Sequence, residues 1–242
     1  MAQQQGIRRP PNLDCRTCPT AKSAQWRVLD EEQRAQLSEG KQTAVYGAGE
    51  VLFRQESPCH GIHCLASGSL VLRRLDAQGN SVLIDLIHEG QTVGYRSYYN
   101  SRRHAEQAEA LEPSTVCLVP NATVDALLGS NTELGRAFAE SLATDMKELE
   151  QAVLNGVSQP VRSRIARLLH LLLDRFGESD EAGRIALQLP FGRQEMAELL
   201  GVQRETVTRT LNAMQADDVL QASGRTLLIH DLDRLLDELE QE

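Results

Sequence analysis

The stretch from Gly192 to Leu220, GRQEMAELLGVQRETVTRTLNAMQADDVL, leaves the chain fewer folding choices than any other. Ala197 is small enough for two helices to meet there, and Gly201 sits where a turn between them needs a positive φ. Leu200 and Val202 bracket the glycine, and Val207 and Leu211 carry an apolar face onward at helical spacing. Two short helices, Arg193 to Leu200 and Arg204 to Met214, joined by Gly201-Val202-Gln203, make a helix-turn-helix. The second helix opens with Gln203-Arg204-Glu205-Thr206 and continues with Thr208-Arg209, polar residues that stand off the apolar face. A recognition helix turns that end toward base edges. Arginine donates two hydrogen bonds to guanine, and glutamate accepts from the cytosine amino group. The competing reading is an exposed charged helix in an ordinary helical domain.

Upstream the pattern is different. From Val45 to Pro120, short apolar segments are separated by Gly49, Gly61, Gly68, Gly79, Gly90 and Gly94. LVLRRLDAQGNSVLIDLI reads as two strands around an Ala77-Gln78-Gly79-Asn80 turn. Repeated short strands of this kind form a sandwich or barrel. Asp30 to Leu37 suits a short helix, and the first 25 residues read as irregular. From Ala122 the chain turns helical. Ala139, Leu142, Met146, Leu149 and Val153 repeat every three or four residues, a heptad seam flanked by charges. Leu142, Met146, Leu149 and Val153 are therefore expected to pair two copies of the chain, although a helix packed on its own domain shows the same stripe. Gly156 and Pro160 are expected to close this helix. A second amphipathic helix runs to about Phe176, then an acidic loop from Glu178 to Gly183, and VLQASGRTLLIHD reads as a hairpin turning at Ser223-Gly224.

The 242 residues carry 34 acidic and 25 basic side chains, a net charge of −9. Taken alone this disfavours nucleic acid, but phosphate attraction depends on local patches. Val161 to Arg175 offers one, with Arg162, Arg164, Arg167 and Arg175 against Asp174. No nucleophile elbow, phosphate-binding loop or metalloprotease pattern is present, so an enzyme is not expected. No apolar run approaches the length of a membrane span, and MAQQQGIRRPPN lacks an apolar signal core. A cytoplasmic protein without membrane contact is expected.

Arg-Glu-Thr-Val-Thr-Arg at 204–209, Arg193-Gln194-Glu195 upstream of it, the glycines of the strand region and the Ser67-Gly68 turn together resemble the CRP/FNR regulators, from about residue 13 to 235. The resemblance implies an α+β chain in three parts. These are an arm and β-roll (jelly-roll, cyclic-nucleotide-binding-like) sensor domain at 1–130, a dimerisation helix at 131–158, and a winged helix-turn-helix at 159–242. It implies that Arg204, Glu205 and Arg209 touch bases with Thr208 beside them. Arg193, Gln194, Gln203 and Thr206 would hold phosphates, which set register rather than sequence. The expected target is double-stranded DNA, a palindrome with TGA-containing half-sites (G-T-G-A or T-T-G-A) about one helical turn apart, bound by a homodimer. Contact with RNA polymerase is likewise implied.

The same resemblance frames the sensor. The family's cyclic AMP pocket needs a Gly-Glu pair and a downstream Arg-Ser; here Gly94 precedes Tyr95, and the Arg-Ser positions fall on His104 and Ala105, so cyclic AMP is not expected. QAEALEPSTVCLVP at 107–120 resembles the FNR strand that carries a cluster cysteine, which places Cys117 as a ligand, and Cys15-x-x-Cys18 matches two more. The remaining FNR-type cysteine would fall near Ala24 and is absent. Cys59 or Cys64 is expected to supply it, completing an iron–sulfur cluster that a gas or oxidant alters. Three other readings stay open. Cys15-x-x-Cys18 suits a thiol switch or half of a zinc site; His60, His63 or His104 could serve as axial haem ligands; and Cys64 and Cys117 suit a buried core.

Overall fold

A computed structural model describes residues 13–22, 25–75, 81–180 and 184–239. The chain divides into two compact units, residues 1–146 and 147–242. The expected Ala77–Asn80 turn, the Ala24 position and part of the Glu178–Gly183 loop lie outside the described residues.

In the first unit two four-stranded antiparallel sheets form a roll. One has the order β1-β8-β3-β6, from β1 (Gln42–Tyr46), β8 (Ser114–Pro120), β3 (Gly61–Ser67) and β6 (Thr92–Val93). The other has the order β2-β7-β4-β5, from β2 (Val51–Phe53), β7 (Gln107–Ala110), β4 (Ser69–Leu75) and β5 (Ser81–His88). Side chains alternate across a strand, so the first sheet has two buried faces. Leu65, Val93 and Val116 point between the sheets and meet Phe53, Leu70, Leu72, Ile87, Ala108 and Ala110. Ile62, Cys64, Cys117 and Val119 point outward into a second core with Trp26, Leu37, Val124, Leu127, Leu134 and Phe138.

Helices cover that outer face: α1 (Glu31–Gly40), the short α2 (Tyr95–Tyr99), α3 (Asn121–Ser130) and the start of α4 (Thr132–Ser158). Asp30 caps α1 by accepting from the Gln33 backbone, while the Gln33 side chain returns to the Asp30 backbone. The helix thus starts one residue later and runs three residues further than the sequence pattern suggests. Likewise α4 continues through Gly156 and ends at Ser158, two residues before Pro160.

The second unit holds α5 (Val161–Phe176), α6 (Arg193–Leu200), α7 (Arg204–Ala216), the short α8 (Leu232–Asp237) and a sheet ordered β11-β12-β10-β9. Strands β11 (Leu220–Ser223) and β12 (Thr226–Ile229) form the expected hairpin at Ser223-Gly224. One expectation fails here. Glu178 and Ser179, expected at the start of the acidic loop, belong to β9 (Gly177–Ser179), an edge strand paired with β10 (Ile185–Gln188). Its three residues carry no apolar alternation, so only the partner strand makes them extended.

Candidate nucleic-acid interface and cysteine cavity

The turn between α6 and α7 forms as its residue types dictate. Gly201 takes φ 61° and ψ 38°, and its N–H reaches the carbonyls of Ala197 and Glu198. Val202 N–H donates to the Ala197 carbonyl at 3.0 Å. Val207, Leu211 and Met214 are buried beneath α7. The opposite face carries Arg204, Glu205, Thr208, Arg209 and Asn212, which line one open concavity. Four of these were singled out above. Asn212 was missed, although it lies one turn beyond Thr208 on the same face. Gln203 is exposed at the N-cap and Thr206 is half-buried. On α6, Gln194 is exposed and leans on Glu198 at 3.3 Å. Arg193 is half-buried, and its Nη1 has no hydrogen-bond partner among the described residues.

Two arginines of the basic stretch at the start of α5 are engaged in internal contacts. Arg162 Nε and Nη2 donate to the carboxylate of Glu238 at 2.6 and 2.5 Å, and its Nη1 pairs with Asp217. These bonds push its pKa up, the Glu238 bond most. Arg164 Nη1 donates to the Leu200 carbonyl at 2.8 Å. Both guanidiniums therefore tie α5 to its own unit instead of facing a phosphate.

Along α4, Met146, Leu149 and Val153 are 61%, 55% and 67% exposed, and Leu142 is half-buried. Leu154 is also exposed, about 100° around the helix from Val153. Exposed apolar side chains at this spacing on a long helix are what a coiled-coil seam presents. Next to it Asp145 accepts from Tyr95 Oη at 2.5 Å and Arg96 Nε at 2.8 Å.

Four cysteines meet on the outer face of the first sheet. Cys64 and Cys117 stand directly opposite each other on β3 and β8. Cys15 and Cys18 approach them from the arm, and all four line one cavity with Thr20, Ala21, Trp26, Leu37, Lys41, Ala66 and Val119. The arm is held by short bonds. Cys18 N–H donates to the Asp14 carbonyl at 2.9 Å, Cys15 N–H to Ser38 Oγ at 3.2 Å, and Lys41 Nζ to the Leu13 carbonyl at 2.5 Å. Thr43 Oγ1 lies 3.5 Å from Cys117 Sγ. Cys59 is elsewhere, with its thiol turned to the carbonyls of Gly61 at 3.3 Å and Gly94 at 3.7 Å. All five cysteines are free thiols.

Burial dominates the chemistry of these thiols. It raises Cys15 to about 11 against the opposing pull of the Lys41 ammonium. It raises Cys64 well above the ordinary thiol value, with Cys117 adding repulsion. Cys117 is also raised, despite the Thr43 hydroxyl. Burial therefore favours the protonated form of Cys15, Cys64 and Cys117, and a metal centre must displace those protons to bind. Among the described residues no three His, Cys, Asp or Glu side chains gather tightly enough for one metal ion. Four thiols around one cavity are the donor set of an iron–sulfur cluster, and the cavity, about 20 Å³, has to widen to admit one.

The histidines separate. His60 is exposed, whereas His63 and His104 lie inside the roll with His104 stacked 3.7 Å from Phe53. Burial lowers both buried rings to about 4, with neighbouring imidazoles adding to the shift.

A cyclic nucleotide-binding domain family matches residues 43–131, and the Crp-like helix-turn-helix domain family matches residues 163–238. The chain is 27% identical to the transcriptional activator protein anr of Pseudomonas aeruginosa, over 96% of this chain and 94% of that one. It is 25% identical to the fumarate and nitrate reduction regulatory protein of Salmonella typhi, over 77% and 74%. In structure it resembles a CRP/FNR-family transcriptional regulator of Thermus thermophilus, with a TM-score of 0.70 at 21% identity over 83% of this chain and 99% of that one. These relatives are transcriptional regulators, not enzymes. No helix among the described residues is long and apolar enough to cross a membrane.

Proposed function

We propose, starting from a chain that belongs to the CRP/FNR family of DNA-binding transcriptional regulators, that it is a homodimeric, cytoplasmic redox or gas sensor whose four-cysteine cavity holds an iron–sulfur cluster. The observation that carries this reading is the convergence of Cys15, Cys18, Cys64 and Cys117 on one cavity. Cys64 stands in for the ligand absent near Ala24, since it faces Cys117 across the ladder. Cys59 does not line the cavity.

Bound there, the cluster would supply redox- and gas-sensitive iron held by thiolates. The rest is the work of the chain. Cys15, Cys18, Cys64 and Cys117 would hold the cluster as thiolates, against the burial that raises Cys15, Cys64 and Cys117 above the ordinary thiol value, and Lys41 at the cavity wall would offset part of their negative charge. Loading also fixes the arm. Immediately after it, Gln25 Nε2 donates to Ser141 Oγ at 2.7 Å, Arg27 pairs with Glu140 at 3.1 Å, and Trp26 meets Phe138 edge-on at 5.4 Å. These partners all lie on α4, just before Leu142 and Met146. The arm's position is thereby linked to the helix that pairs two copies, and a two-state pairing equilibrium is what a bound group biases.

The division at 1–130, 131–158 and 159–242 is part of this reading, with Leu142, Met146, Leu149 and Val153 forming the pairing seam. Arg204, Glu205, Thr208 and Arg209 read base edges. Arg193, Gln194, Gln203 and Thr206 hold phosphates. The site is a palindrome with TGA-containing half-sites, and RNA polymerase is the further partner by family resemblance. Cyclic AMP is not the ligand on this reading, because His104 and Ala105 stand where an arginine and a serine would hold its phosphate. The test is a DNA mobility shift with anaerobically loaded and metal-stripped protein on a palindromic duplex. The proposal expects affinity to differ at least ~10-fold between the two forms, as coupling between two sites requires. Equal affinity would remove the sensor from the mechanism.

A further inference from the structure

Across the first sheet from the cysteine cavity, the roll interior holds two buried histidines. His63 and His104 are 7% and 2% exposed. The Nδ1 of each is buried without a hydrogen-bond partner among the described residues. Leaving one such group unpaired forfeits its hydration with no return, and two at one place call for a common cause.

Both rings address the same spot. A methyl group on Gly94 would lie 3.6 Å from His63 Nδ1, 3.6 Å from His104 Cε1 and 3.2 Å from the Gly61 carbonyl oxygen. Gly94 takes φ 91°, so a glycine is favoured there and that space stays open. The ring centroids are 6.3 Å apart. Two imidazole nitrogens held at about 2.0–2.1 Å on a tetrahedral ion bring their ring centroids to about 5 Å, so the two rings need to close by about 1 Å to hold one. Phe53 stacks on His104 at 3.7 Å and lies 5.2 Å from His63, which limits how far either ring swings. The Cys59 thiol braces the frame by donating toward the carbonyls of Gly61 and Gly94.

We propose that His63, His104 and the Gly61 carbonyl oxygen form a second metal site, which takes one borderline divalent transition-metal ion of the zinc class, with water completing the shell. Imidazole suits such ions, and a two-nitrogen, oxygen-completed set separates this site from the thiol cavity. The site has two ways to matter. Gly94 leads directly into Tyr95 and Arg96, which grip Asp145 on α4. His63 is the strand neighbour of Cys64, one residue away on the opposite face.

The proposal stands apart from the cluster reading, and its test separates the two. In full-length Cys15→Ser/Cys18→Ser protein, cobalt(II) is titrated and followed by visible spectroscopy and by thermal unfolding. One equivalent of cobalt is expected to bind with weak ligand-field bands and without the intense near-ultraviolet band of cobalt–thiolate, and to raise Tm. In that background His63→Gln and His104→Gln are each expected to weaken binding at least ~100-fold, since removing a ligand should cost no less than removing its outer support. Binding that survives both substitutions, or cobalt held only with a thiolate band, overturns the site. Should the histidine variants fail to fold, imidazole nitrogen NMR of the parent protein decides. Zinc(II) must shift the ring signals of both His63 and His104, and unshifted rings overturn the proposal.

Discussion

The reading face of α7 and the cysteine cavity differ in every physical respect. On α7 the functional side chains stand in solvent on a helix whose other face is locked by Val207, Leu211 and Met214. The geometry there belongs to one contiguous segment. The cavity is assembled from an arm, a helix and two strands. Three of its thiols, Cys15, Cys64 and Cys117, are buried and raised in pKa by that burial. A rigid reader suits constant sequence preference, whereas a site that must lose protons to be filled suits a variable input. On the proposed reading the first region fixes what is bound, and the second fixes when.

Breaking the cavity gives the largest expected effect. Cys18→Ser or Cys117→Ser should abolish iron and sulfide retention after anaerobic reconstitution, while Cys59→Ser retains it. Metal analysis of the variants checks this, and a strict Cys59 requirement would redraw the ligand set. Splitting the seam comes next. Leu149→Glu should convert a dimer to a monomer by analytical ultracentrifugation, because it buries a like-charge pair at each contact. On the reading side, Arg209→Ala should cost about 1–3 kcal/mol of affinity for the specific duplex and little for random DNA, the loss expected for one bidentate base contact. Fluorescence anisotropy on both duplexes measures the difference.

The metal-free roll should also respond to acid. His63 and His104 have folded pKa values near 4, below the ordinary 6.5. The groups that face them are each other and His60, by the same shifts. The unfolded chain binds more protons between those values, so their contribution is present above about 6.5 and lost as pH falls toward 4. Urea midpoints should fall across that window, and His104→Gln should flatten the fall. The smallest effect belongs to Gly201→Ala, about 1–2 kcal/mol, because alanine resists the left-handed turn at φ 61°. A urea titration of the second unit's transition measures it.

The same contrast explains what could be read from residues alone. The helix-turn-helix is local: Ala197, Gly201 and the apolar run Val207–Leu211 specify it within one segment, and Asn212 was missed only because the pattern was followed one turn too few. The cavity is long-range. Two candidates, Cys59 and Cys64, remained equal until the register of β3 against β8 placed Cys64 across from Cys117. Trp26 and Lys41 reach the cavity from segments with no cysteine, so no spacing points to them. Arg162 and Arg164 looked like a phosphate patch because charge in sequence does not reveal a partner as distant as Glu238. Glu178 and Ser179 looked like loop because an edge strand takes its form from β10.

The most direct test of the central claim is the absorption spectrum of protein purified without oxygen, recorded before and after exposure to air, with iron and sulfide assayed on the same sample. The account predicts a broad brown visible band that bleaches in air, and its absence in Cys117→Ser. A sharp, intense Soret band would move the sensor to haem and the histidines. A colourless protein, free of iron and sulfide even after anaerobic reconstitution, would contradict the account.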